Sequence, residues 1–149
     1  MSSQPLKMPS LDRNLFIRIV AAVFVISSAT AFITALMRIM NTELFYEEPL
    51  EGNNRGLHYF LSSVMVCTSA IGFLNSCMVL SRRSVHNTDR SITIWLLIDS
   101  IFETSRIICL FCSEMLIKGK GPAQSYDLLI STAQYLLDSS LYAHVILSR

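Results

Sequence analysis

Two short runs of polar residues interrupt otherwise apolar sequence, and their spacing could do chemistry. Asp99, Glu103 and Arg106 stand at i, i+4 and i+7, which puts them on one face of a helix. Glu103 and Arg106 are also within reach of each other at i, i+3. Further on, Ser131, Gln134, Asp138 and Tyr142 recur every three or four residues and share a face of their own. A charge at the centre of a membrane helix costs roughly 2.5–3.5 kcal/mol on insertion scales. Such a set must therefore pair or be neutralised. The expected arrangement is an interhelical Arg106–Asp138 pair with Glu103 and Gln134 around it. With Asp99, Glu103 and Asp138 all ionised, Arg106 would leave a net charge of −2, so at least one carboxyl is expected to be protonated. Two chemistries follow. In one, the polar set specifies which helices pair and which partner is admitted. In the other, the acids line a proton or cation route.

Other reactive side chains point to less. Cys109 and Cys112 have C-x-x-C spacing, but they lie in an apolar stretch with Arg106 as the only basic neighbour, and packing is the expected role. His58, His86 and His144 fall far apart, His58 on one side of a membrane and the other two toward the other. Each is expected at a surface or interface. No H-E-x-x-H, G-x-S-x-G or glycine-rich phosphate loop is present. Ser139 and Ser140 beside Asp138 lack an oriented base. No catalytic residue, cofactor or metal site is assigned, and the chain is expected not to be an enzyme.

The elements that would position these residues follow from composition and charge order. Of 149 residues, 52% are hydrophobic and 15% charged, with a net charge of +1; soluble domains average about 25% charged. Disordered tails need the opposite balance. Nucleic-acid binding is excluded for want of a basic excess. Residues 15–37 hold one charge, Arg18, and residues 57–80 hold none. Each is long enough to cross the roughly 30 Å hydrocarbon layer. Residues 91–117 and 128–148 are equally long but carry the polar runs. The expected fold is all-α, one domain over residues 1–149, a transmembrane four-helix bundle with short loops. The rival is a two-span hairpin followed by two amphipathic helices.

Orientation follows from Lys and Arg in short loops. Lys7, Arg13, Arg18, Arg82, Arg83, Arg90 and Arg149 fall on one side, against Arg38, Arg55, Lys118 and Lys120 on the other. Both termini are therefore expected in the cytosol. The first loop, with Glu43, Glu47, Glu48 and Glu51, then faces outside or a lumen. Ala29-Thr30-Ala31 fits a signal-peptide cleavage pattern, but the apolar run continues to Met37, so the first span is read as uncleaved.

Ser27, Ala31 and Ala35 form a small-residue stripe on span one; Thr68, Gly72 and Ser76 form another on span two. Such stripes admit a neighbouring backbone, here each other's or a partner's. Phe45, Tyr46, Tyr59, Phe60, Trp95, Tyr126 and Tyr142 lie near span ends and are expected to anchor at the interface. All four cysteines lie within spans, so the loop disulfides of tetraspanins and claudins are absent. Cys77, shortly before Arg82 and Arg83, is a candidate for palmitoylation. No N-x-[ST] acceptor occurs.

With this topology the chain resembles small four-span, tetraspan-like proteins of the MARVEL-like type, and within them the insect snakeskin-like proteins of smooth septate junctions. The residues concerned are Asn14-Leu15-Phe16-Ile17-Arg18-Ile19-Val20 entering span one and the basic link Arg82-Arg83-Ser84-Val85-His86. The last span adds Tyr135-Leu136-Leu137-Asp138, then His144 and a very short basic end. Glu103 and Arg106 in span three depart from that pattern. The resemblance implies a role in organising membrane contacts with other integral proteins. The expected partners are the lipid bilayer and either an integral membrane protein or further copies of the chain. The plasma membrane is the expected location, endomembranes the alternative.

Overall fold

The computed structural model describes residues 10–81, 89–117, 119 and 121–147. Lys7, Arg82, Arg83, Lys118, Lys120 and Arg149, on which much of the orientation argument rests, lie outside the described residues, as does His86. The described chain is all-helical: α1 (Ser10–Met40), α2 (Thr42–Phe45), α3 (Gly52–Ser81), α4 (Asp89–Leu116) and α5 (Pro122–Leu147).

At 1.5 Å per residue the four long helices run about 39–47 Å. They overrun the apolar segments at most of their ends, because a helix satisfies its own backbone wherever no breaker stops it. Neither α1 nor α4 contains Gly or Pro. α5 starts on Pro122, whose fixed φ suits a first helical position. The one-turn α2 was not expected in the first loop. By length and composition α1 and α3 could each cross a membrane. Charged residues keep α4 below that composition.

The helices pack as a bundle. α1 lies closely along α3, α3 along α4, and α5 against α4 and α1. At Gly72 three helices converge: a Cβ there would lie 3.2 Å from Ser28 Oγ on α1 and 3.3 Å from Asp99 Oδ1 on α4. The end bearing the α3–α4 connection is closed by Ile17, Val20, Phe24, Ile92, Trp95 and Tyr142. The middle is thinner, with Ala35, Met65 and Leu110. The α2 end is closed by Phe45, Tyr46 and Ile117.

Backbone bonds staple the loops at the α2 end. Glu47 N–H donates to Gly119 O at 2.9 Å, and Gly121 N–H to Phe45 O at 2.8 Å. Gly119 has φ +82°. At Gly121 a Cβ would meet Phe45 C and O at 3.1 Å. Both positions thus depend on glycine.

Candidate functional site: a polar column inside the bundle

The interior is unusually polar. Ser27, Ser28, Arg38, His58, Asp99, Glu103, Arg106, Ser113, Gln124, Ser131 and Asp138 are all buried. Large apolar side chains face outward from every long helix, among them Ile26 and Ile33 on α1, Leu74 on α3, Ile101 and Ile108 on α4, and Leu129 and Leu136 on α5.

Nearest the α3–α4 connection, Tyr142 donates to Asp99 Oδ2 at 2.9 Å. One level on, Ser27 donates to Asp138 Oδ2 at 2.8 Å and accepts from the Gln134 amide. Asp99 Oδ1 and Asp138 Oδ1 are buried and have no hydrogen-bond partner among the described residues. Next, Arg106 clamps Glu103 Oε2 through Nη2 at 2.9 Å and Nε at 3.3 Å, while Nη1 donates to Ser131 Oγ at 3.2 Å. Ser131 in turn donates to Asp127 Oδ1 at 3.2 Å.

Asp127 links this level to Arg38. The Arg38 guanidinium meets Asp127 Oδ2 through Nε at 2.6 Å and Nη2 at 2.5 Å. It also lies over the Phe45 ring, 4.7 Å from its centroid, a cation–π contact. The Arg38 carbonyl takes a 2.9 Å bond from His58 Nε2. Since a carbonyl only accepts, Nε2 carries the hydrogen. In neutral His58, Nδ1 then accepts from the Tyr46 hydroxyl at 3.2 Å, and Ser113 donates to Tyr46 at 2.9 Å. From Glu103 to Ser113 these contacts run through α4, α5, α1 and α3 and reach α2 through the Phe45 ring, while the Tyr142–Asp99 and Gln134–Ser27–Asp138 bonds form separate groups.

Several expectations change. Arg106 and Asp138 do not pair. Arg106 lies level with Ser131, Thr104 bonds Tyr135 at 3.2 Å, and Asp99 bonds Tyr142. With Arg106 level with Ser131, Asp138 stands seven residues, or about 10 Å, further along α5, while Glu103 is one turn away on Arg106's own helix. Phe45, Tyr46, Trp95 and Tyr142 are buried, not interface anchors, because each closes an end of the bundle or bonds a polar group within it. Phe60 and Tyr126 are exposed. His58, expected at a surface, is fully buried. Arg38, read as a loop charge, is buried and paired. Of the small-residue stripes, Ser27 faces α5, Gly72 meets Ser28, and Ser76 Oγ accepts from the Trp95 indole at 3.4 Å. Ala31, Ala35 and Thr68 are buried. Cys77 is half-buried, and all four cysteines are free.

Sequence reasoning missed Arg38, Asp127, His58, Tyr46, Ser113 and Ser28. Periodicity held a signal for two of them. Arg38 continues the Ser27–Ala31–Ala35 face by three residues, and Asp127 precedes Ser131 on its face by four. Among the described residues, no group of three or more His, Cys, Asp or Glu side chains could hold a metal ion. Comparison with protein-family models, curated proteins and solved structures finds no match to the chain.

Proposed function

We propose that the chain is a four-span integral membrane protein that organises or assembles a membrane complex or cell contact without catalysis. Both termini lie in the cytosol, and the plasma membrane is its first location. The observation that carries this reading is the polarity of the bundle: apolar side chains clothe all four long helices, while charges and hydroxyls lie buried between the apolar clusters of the axis. In water that arrangement would expose large apolar patches and bury costly groups. In lipid it is the favoured one, since helices there associate through small residues and polar contacts. Only 39% and 28% of the apolar windows of α1 and α3 are buried, whereas the core helix of a soluble protein is mostly buried. The largely self-satisfied ion pairs suit a scaffold whose outer faces meet other membrane proteins, in keeping with the MARVEL-like resemblance.

Purification in mild detergent tests this: an integral membrane partner in fixed stoichiometry is expected. A homo-oligomer that passes ions would overturn it in favour of the second reading, a proton- or cation-conducting subunit. That reading is favoured by one observation, the unpartnered Oδ1 atoms of Asp99 and Asp138 at the buried axis. Flux into liposomes that is lost in Asp138→Asn would support conduction.

A further inference from the structure

At the connection end, α3 and α4 leave a groove of about 260 Å³ between them. Its walls are apolar: Met78 and Val79 on α3, Ile94 and Ile98 on α4. Met78 and Ile94 are 59% and 47% exposed, so the groove opens sideways, toward lipid in a membrane. Trp95, itself buried, also lines it. Asn75 is a further lining residue, its amide donating to the Trp95 carbonyl at 3.3 Å. Exposed Arg90 lines the groove at the start of α4, eight residues or about 12 Å along the helix from Ile98.

An apolar trough with a cation at its mouth matches one kind of amphiphile. We propose that this groove holds an anionic phospholipid, its acyl chain against Met78, Val79, Ile94 and Ile98 and its phosphate at Arg90. The inference rests on the membrane reading above. In that topology the connection end is cytosolic, the side where anionic lipids concentrate and where basic residues at helix ends recognise them. Arg90 suits the role because its long aliphatic stem can follow the apolar wall while the guanidinium stays at headgroup level. A zwitterionic lipid would fill the trough equally well but brings no net charge to Arg90.

Trp95 is the only tryptophan in the chain, so its fluorescence reports on this groove directly. The full-length protein is reconstituted into phosphatidylcholine vesicles containing an equal small fraction of acyl-brominated phosphatidylserine or acyl-brominated phosphatidylcholine. Brominated phosphatidylserine is expected to quench Trp95 with about a fivefold preference, the size set by one basic group at an anionic surface. Arg90→Gln is expected to remove the preference and Arg90→Lys to keep it. Arg90 is exposed, so neither change threatens folding. Equal quenching by the two lipids, or an unchanged preference in Arg90→Gln, overturns the proposal and leaves the membrane reading standing. Quenching by neither lipid, in vesicles that retain the protein, means that protein fills the groove, and also overturns it. A protein that fails to float with vesicles defeats the membrane reading itself.

Discussion

At the residue scale, the column is an arrangement of compensated charges. Arg38 and Asp127 are the sharpest case, joining α1 to α5 where hydrophobic packing is thin. Removing one partner of a buried pair leaves the other uncompensated, at a cost of about 3–5 kcal/mol. Asp127→Ala is therefore expected to lower the thermal midpoint in detergent strongly, while the double change Arg38→Met with Asp127→Leu recovers most of the loss. A midpoint for Asp127→Ala equal to wild type would show that the pair contributes nothing. Ser27→Ala is a gentler change. It strips Asp138 of its donor and Gln134 of its acceptor, and interhelical hydrogen bonds in membrane proteins average about 0.6 kcal/mol with a maximum near 1.7. A loss in that range is expected from unfolding titrations. Asp138→Asn keeps the acceptor oxygen facing Ser27 but puts an unpaired amide NH2 at the buried Oδ1 position, at a cost of about 1–3 kcal/mol, so its flux is compared with wild type at equal folded fraction.

At the scale of elements, two glycines decide how closely segments approach. Gly72 sits where α1, α3 and α4 meet, with Ser28 and Asp99 already at contact distance. Gly72→Leu must push α1 and α4 apart, and overpacking of this kind costs about 1–3 kcal/mol or more. The expected result is a smaller folded fraction on gel filtration in detergent, whereas Gly56→Leu, at a position with nothing within 4 Å, should match wild type. At Gly121 the obstacle is the Phe45 backbone, which cannot rotate away as a side chain can. Gly121→Ala should therefore open the loop staple, read as faster hydrogen exchange at the Gly121 amide. Neither role was legible from the glycines alone. Gly72 was identified as part of a small-residue stripe, but the stripe's periodicity names a face, not what stands opposite it. Ser28 rather than Ser27 meets Gly72 because the rotation of α1 is set by both neighbours at once.

At the scale of the molecule, the outward apolar surface is the feature that a bilayer would use. Leu129 on α5 is 68% exposed, although α5 falls short of a span by composition. If α5 crosses the membrane, Leu129→Lys places a charge on its lipid-facing side at a cost of roughly 2.5–3.5 kcal/mol, less toward the helix ends. The expected outcome is a reduced fraction resistant to alkaline carbonate extraction. Unchanged extraction would favour the two-span hairpin with α5 lying outside the hydrocarbon.

The sequence by itself determined that the chain is helical, where its long helices run to within about six residues, and which polar residues share a helix face. Those properties are local, since they depend on apolar run length and on a period of 3.6 residues. It did not determine which polar group meets which. Partner choice depends on axial register and on each helix's rotation, and both are settled by all contacts together. A shift of about two turns moved Asp138 from Arg106 to Ser27 and left Arg106 to Glu103 and Ser131. The same collective packing drew Arg38 and Tyr46 from an expected loop, and His58 from an expected surface, into the interior, because closing the α2 end buried them and each found a partner there.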